Sequence, residues 1–469
     1  MLTPYKHQRE IIDRFRSKNT AGLFLDPGTG KTLIAINLLR YRYAEYGRVL
    51  RTLIFAPGIT LNNWKQEFEL CSNVDQGLIG VVMGSAKKRL QTIEDPRYSI
   101  LIINPEALRT EKIHAALKDW RPEASVFDES HMIKSPKSKM FTACCQVTFC
   151  AEYRYVLTGT PMPNSAMDIW AQAYFLDRGQ TFLNKFYPFK NRYFVDLNAD
   201  WSSSKAFPNW QFNKTMEDDF KARLASFSIR LKKEDCIDLP ELVEQTIPVE
   251  MSAEQSKHYK MLVKEMITWI EAQQDNPLVV QNALTKLLRL NELVSGYLKL
   301  EDDTIHKLKT NPRLDALMGL IESVHPHKVI VFTIFKETYR DIRHALEKKK
   351  IEYCEIHGGV SQKAKLEAVE NFNDMSRPER VCIIHPKSGG VGINLKSARY
   401  AITYTRSHSL IDFEQAKARN YRAGSIDLHD KITHYHIVTP NTVDAEIVEA
   451  LRNKKKLSES LLSIRNLLR

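Results

Sequence analysis

The chain contains no Cys-x-x-Cys pair. Among its seven cysteines, Cys144, Cys145 and Cys150 lie close together, yet none stands at metal-ligand spacing and no histidine cluster accompanies them. That excludes a zinc-finger or disulfide-scaffold organisation and leaves reduced thiols of a core. Also missing is any apolar run of about 18 residues, the length a membrane-spanning helix needs. The opening stretch Met1-Leu2-Thr3-Pro4-Tyr5-Lys6-His7-Gln8 is too polar to read as a secretory signal. These absences predict a soluble, intracellular chain with no membrane partner; a monomer is expected.

What is present is long and basic. At 469 residues the chain exceeds what one hydrophobic core usually fills, so two large domains are expected. A hydrophobic share of 43% with 26% charged residues puts it among globular proteins. Lys and Arg number 68 against 56 acidic residues, a formal net charge of +12. Such a balance favours a polyanionic partner, nucleic acid above all, although a merely basic protein would show the same.

The strongest local signal is Asp26-Pro27-Gly28-Thr29-Gly30-Lys31-Thr32. The apolar run Ala21–Leu25 precedes it, and a helical pattern with Leu33, Ile34, Ile36, Leu38 and Leu39 follows. Strand, Gly-rich turn and helix are the context in which backbone amides and a helix N-terminus cradle phosphates. Gly28, Thr29 and Gly30 would line that cradle for ATP, Lys31 would set a point charge on the phosphates, and the Thr32 hydroxyl would ligate Mg2+. Leu25 stands where the first glycine of the full GxxxxGKT form would be, so the loop needs partners elsewhere in the chain.

They follow about a hundred residues on. Ser125-Val126-Phe127 reads as a buried strand that delivers Asp128 and Glu129 to its C-terminal end, where open parallel sheets bind ligands. Asp128 would hold the magnesium, and Glu129 would orient or deprotonate the attacking water. A solvated acidic pair would look the same in isolation; its place downstream of a phosphate loop decides against that. Thr52–Ala56, Ser99–Ile103 and Tyr155–Leu157 supply further strands, which alternate with helical stretches as in a parallel α/β sheet.

Several stretches then resemble superfamily-two helicases, and specifically the Swi/Snf-type DNA translocases. Leu2-Thr3-Pro4-Tyr5 with Gln8 is similar to the family's adenine-reading segment. Ala56-Pro57 and Asn63-Trp64-Lys65-Gln66-Glu67-Phe68 are similar to its second block. Asp128-Glu129-Ser130-His131 through Lys134, Lys137 and Ser138 resembles the acidic box and its continuation, and Leu157-Thr158-Gly159-Thr160-Pro161 the coupling segment. Ile229-Arg230-Leu231-Lys232-Lys233-Glu234-Asp235 with Leu239-Pro240 resembles the inter-lobe segment that strand-separating helicases lack. Ser388-Gly389-Gly390-Val391-Gly392 resembles a DNA-contacting block, and Gln415 through Arg419, Arg422 and Gly424 the arginine segment.

The resemblance implies an α/β fold of two RecA-like parallel-sheet lobes flanking an ATP cleft, with helical insertions between them. Lobe 1 would span 1–165, protrusions and linker 166–310, lobe 2 311–450, and a bracing helix 451–469, with no further domain. It also implies that Arg419 and Arg422, three apart on one helical face, reach the γ-phosphate as arginine fingers, and that Thr158, Gly159, Thr160 and Gln415 couple hydrolysis to motion. DNA contacts are expected from Pro57, Trp64, Asn104, Lys134, Ser388, Gly389 and Gly390, with Lys137 and Lys139 as phosphate candidates. Ser425 replaces the family's usual glutamine, and Pro27, Thr29 and Tyr404-Thr405-Arg406-Ser407 shift the likeness toward small bacterial and phage members. The aromatic-rich region 162–300 is expected to be core of the protrusions rather than a base-stacking platform. Three functions follow in competition: a duplex- or branched-DNA translocase acting in junction branch migration or protein displacement, a strand-separating helicase, and an ATP-gated DNA-binding module.

Overall fold

The computed structural model describes residues 2–58, 60–198, 210–236, 238–272, 288–299, 304–387, 393–407, 409–422, 424–445 and 448. They form two compact units, one running through residue 236 and the other starting at Asp238.

In the first unit, helix α1 (Lys6–Phe15) leads to strand β1 (Thr20–Leu25), helix α2 (Lys31–Tyr46), strand β2 (Thr52–Phe55) and helix α3 (Leu61–Cys71). Strands β3 (Ile79–Val82), β4 (Ile100–Ile103), β5 (Ala124–Asp128) and β6 (Tyr153–Leu157) follow, then a two-stranded antiparallel hairpin of β7 (Phe194–Asp196) and β8 (Trp210–Phe212), and β9 (Ser228–Leu231). The main sheet runs β3-β4-β2-β5-β6-β1-β9, parallel throughout. Helices cover both faces, which is why β2 and β4 can be buried at every position. Strand alternation sorts the core into two layers. Leu53, Phe55, Leu101, Ile103, Phe127 and Val156 face one side; Ile54, Ile100, Ile102, Val126, Tyr155 and Leu157 face the other.

Much of the aromatic region is core, as expected, although Tyr187 is exposed. Phe182, Phe189, Tyr193 and Phe220 are buried and meet at ring centroids 5.1–5.8 Å apart, mostly tilted or edge-on. Trp170 is buried too, its indole N–H donating to the carbonyls of Phe182 and Leu183. Trp201 lies outside the described residues.

The second unit holds β10 (Glu241–Pro248), a β11 (Tyr297–Lys299)–β12 (Ile305–Lys307) hairpin, β13 (Lys328–Phe332), β14 (Tyr353–Ile356), β15 (Val381–Ile384), β16 (Ala398–Thr403) and β17 (Lys431–Val438). Its sheet, again parallel, has the order β10-β17-β16-β13-β15-β14. Val329, Val331, Val381, Ile383 and Ile402 pack on one face; Ile330, Phe332, Cys382 and Ile384 pack on the other.

The stretch 166–310 contributes to both sheets. Strand β9 pairs with β1, and β10 pairs with β17. Both are edge strands whose partners lie far away in sequence, Gly22 opposite Ser228 and Glu241 opposite Lys431, so no local pattern reveals the pairing. The proposed bracing tail, residues 451–469, lies outside the described residues. No helix among the described residues is long and apolar enough to cross a membrane.

Candidate nucleotide site

The phosphate loop leaves the C-terminal end of β1 and enters α2 at Lys31. Gly28 and Gly30 have φ of 89° and 85°, the left-handed region that side chains rarely adopt. A Cβ on Gly30 would lie 2.2 Å from Gln8 Nε2, so glycine is required there sterically as well. Gln8, on α1, clips the loop: its Nε2 donates to the Thr29 carbonyl at 3.0 Å while its Oε1 accepts from the Tyr5 amide at 2.8 Å. The Thr29 hydroxyl donates to the Asp26 carbonyl at 2.8 Å.

Lys31 is 7% exposed, and its Nζ donates to the carbonyls of Leu25 (2.9 Å) and Asp26 (3.2 Å). Burial pushes its ammonium pKa down, while the charges of Glu129, Asp128 and Asp26 pull it back up. The half-buried Thr32 follows it on the first turn of α2. Hydroxyl and carboxylate oxygens are the donors that a hard cation prefers, and Mg2+ needs few protein ligands when phosphates supply the rest. The residues present therefore fit ATP with Mg2+.

Strand β5 carries Asp128 to the same C-terminal edge, and Glu129 turns the chain with φ of 53°. Asp128 Oδ1 accepts from the Glu129 amide and Oδ2 from the Trp64 indole N–H, both at 3.0 Å. Burial, then the neighbouring Glu129 charge, raises the Asp128 carboxyl to about 6. Glu129 goes the other way. Burial alone would raise it, but the hydrogen bond and charge of His131, then Lys31 and Thr158, hold it below the usual carboxylate range. Its Oε2 lies 3.1 Å from His131 Nδ1 and 3.4 Å from the Thr158 hydroxyl, which donates to it. The same hydroxyl accepts from the Thr160 amide at 3.1 Å, and a Cβ on Gly159 would press on Pro27 Cδ at 2.9 Å. The acidic box, the 158–160 segment and the phosphate loop thus touch.

Trp64 requires a correction. Expected among the DNA contacts, it is 2% exposed and spends its only donor on Asp128. Its place on the inward face of α3 makes it a support of the acidic box. Pro57 and Asn104, by contrast, are half-buried just past the ends of β2 and β4, which are neighbours in the sheet. Lys134 lies past β5, 3.9 Å from Asp168. Ser388, Gly389 and Gly390 are outside the described residues.

In the second unit, Gln415 is half-buried on the helix Leu410–Lys417. That helix ends before Arg419 and Arg422, so the expected shared helical face is absent. The two guanidinium groups nevertheless converge, each Nη1 donating to the Ile393 carbonyl at 3.4 Å. Ser425 staples the turn: its hydroxyl accepts from the Arg422 amide at 3.3 Å and donates to the Arg422 carbonyl at 2.5 Å.

Sequence reasoning did not single out Arg230 on β9. Its Nη2 meets Asp26 Oδ1 at 2.6 Å and its Nη1 donates to the Phe24 carbonyl at 3.0 Å, while the Lys233 amide donates to Asp26 Oδ2 at 3.3 Å. The position of Arg230 in the inter-lobe segment was the available signal; its partner was not.

The SNF2-related domain matches residues 7–296, and the helicase conserved C-terminal domain matches residues 312–424. Protein p41 of Acyrthosiphon pisum secondary endosymbiont phage 1 is 24% identical, over 98% of both chains. An ATP-dependent helicase of Mycoplasma genitalium is 26% identical over 97% of this chain and 42% of its own length. The ISWI chromatin-remodeling complex ATPase of Saccharomyces cerevisiae is 24% identical over 98% of this chain and 40% of its own. The chain therefore spans nearly all of the phage relative but only about two fifths of the other two. A solved SWI2/SNF2 ATPase core of Sulfolobus solfataricus in complex with dsDNA has 24% identity, covers 98% of this chain and 95% of its own, and superposes with a TM-score of 0.45. By the extent of the first domain match, more than half its length, the chain belongs to the SNF2-related family.

Proposed function

We propose that the chain is a DNA-dependent ATPase that couples hydrolysis to movement on duplex or branched DNA, remodelling junctions by branch migration or displacing bound proteins. The observation that carries the reading is the support of Glu129. A carboxylate held ionised by His131 and Thr158, beside a phosphate loop and tied to the 158–160 segment, suits turnover rather than a passive nucleotide switch.

In this reading Lys31 neutralises phosphate charge, and Gln8, Gly28, Thr29 and Gly30 fix the cradle that orients the nucleotide. Thr32 and Asp128 would hold the magnesium, which supplies further charge neutralisation when bound. Glu129 accepts the proton of the attacking water, and Trp64 keeps Asp128 oriented. Arg419 and Arg422 act on the charge that develops at the γ-phosphate. Thr158, Gly159, Thr160 and Gln415 link that chemistry to motion. Pro57, Asn104, Lys134, Ser388, Gly389 and Gly390 contact the DNA backbone, which predicts weak sequence preference and steep salt dependence.

The test is steady-state ATPase without nucleic acid and with single-stranded, duplex, forked and four-way DNA and RNA, with Glu129→Gln as the blank. Stimulation by duplex or branched DNA supports the translocase. Stimulation by single strands alone would move the assignment to strand separation, and no stimulation would remove DNA-driven motion.

A further inference from the structure

Two stretches of the first unit carry no acidic residue at all: Met132–Ala151, with Lys134, Lys137 and Lys139, and Arg178–Val195, with Arg178, Lys185, Lys190 and Arg192. The fold brings them together. Arg178 Nη2 donates to the Thr148 carbonyl at 2.8 Å, and Lys137 Nζ lies 5.8 Å from the centre of the Tyr187 ring. Tyr187 and Lys190 are three apart on the helix Phe186–Tyr193, hence on one face. Lys190 Nζ in turn sits 3.6 Å over the Trp210 ring of the β7–β8 hairpin. The outcome is a surface row Lys137–Tyr187–Lys190–Trp210 in which cations and aromatic rings alternate. Lys139 and Lys185 flank it, and Tyr187 is 59% exposed.

Among the described residues, none of Lys137, Lys139, Lys185 and Lys190 has a carboxylate partner, whereas nearby Lys134 and Arg192 do, in Asp168 and Asp219. Several like charges collected without counter-charges repel one another and call for an external polyanion. A lysine lying over a ring has part of its side-chain freedom already removed, so it gives up less when it meets a phosphate. The row begins at Lys137, three residues after Lys134 on the segment that follows β5.

We propose that this ridge on the helical protrusion is a second DNA-contact surface, which grips the phosphate backbone of duplex DNA beyond the segment held at the sheet edge. The proposal rests on the DNA-motor reading given above.

The test is a Lys185→Gln/Lys190→Gln double variant. Its readouts are the duplex concentration for half-maximal ATPase stimulation and the dependence of duplex affinity on salt. Removing one lysine–phosphate interaction flattens the log–log salt slope by about 0.9, so removing two flattens it by about 1.8. Half-stimulation should then need roughly tenfold more duplex, with kcat at saturating DNA and the KM for ATP unchanged. Lys185→Arg/Lys190→Arg should restore both, and Lys87→Gln/Lys348→Gln, the same charge change elsewhere, should do nothing. A wild-type slope and half-saturation in the double variant, with normal stimulation of the wild type, would overturn the ridge alone. A wild type that neither binds nor responds to duplex would overturn the ridge together with the motor reading.

Discussion

Replacing Arg230 with alanine removes two things at once, an ion pair of 2.6 Å to Asp26 and a hydrogen bond to the Phe24 carbonyl, while the Asp26 amide keeps its bond to the Leu231 carbonyl of β9 at 3.2 Å. The two side chains are 14% and 18% exposed, so the pair is neither fully solvated nor fully desolvated. A hydrogen bond to a charged group contributes about 1.5–3 kcal/mol, and partial exposure favours the lower half, near 2 kcal/mol. Asp26 would keep only the Lys233 amide at 3.3 Å among the described partners of its carboxylate. The loop then has to be ordered by the nucleotide itself, and at about 1.4 kcal/mol per tenfold the KM for ATP should rise roughly thirtyfold. The measurement is ATP affinity and turnover for Arg230→Ala, Asp26→Ala and the double variant, with thermal unfolding to confirm that each is folded. If the pair is the cause, the double variant should be no worse than the worse single one, a coupling of about 1.5–2 kcal/mol. Additive losses, or a folded Arg230→Ala whose KM stays within about twofold of wild type, would refute the reasoning.

Three further outcomes are expected. Arg422→Ala should bind ATP normally yet lose about a thousandfold in DNA-stimulated turnover, the usual worth of an arginine finger; unchanged turnover would end that assignment. Trp64→Phe keeps an aromatic ring, smaller than the indole, but removes the donor to Asp128. Because that bond restrains a carboxyl already raised to about 6, its loss should raise the carboxyl further. The acidic limb of the pH–rate profile should move to higher pH and more Mg2+ should be needed for half-maximal rate; neither changing would show that the indole does not support Asp128. Phe189→Ala opens the aromatic core beside Phe182, Tyr193 and Phe220. It should cost about 3–5 kcal/mol, read from urea unfolding of the first unit, and a shift under about 1 kcal/mol would mean that the cluster repacks.

The candidate site residues could be picked out in the sequence because each sits on a local signature. Lys31 follows a strand and a Gly-rich turn, Asp128 and Glu129 end an apolar run, and β2 and β4 are short buried runs that no other element explains. The supports were not legible, for a physical reason. Trp64 and Asp128 are 64 positions apart and Arg230 and Asp26 are 204 apart. A polar pair between distant elements leaves no periodicity in either segment. Strands β9 and β10 were hidden for a related reason: edge strands need only one paired side and can stay half polar, and the alternation of Ser228-Ile229-Arg230-Leu231 is only four residues long. The arginine pair failed differently. A three-residue spacing suggested a helical face, but the helix ends at Lys417, and the convergence of Arg419 and Arg422 comes from Ile393 and the Ser425 turn. One-letter patterns therefore locate groups that must lie at strand ends, whereas the orientation of those groups depends on hydrogen bonds from elsewhere in the fold. That is why substitutions at Trp64 and Arg230, which belong to no catalytic signature, are the sharper tests of how this site is held.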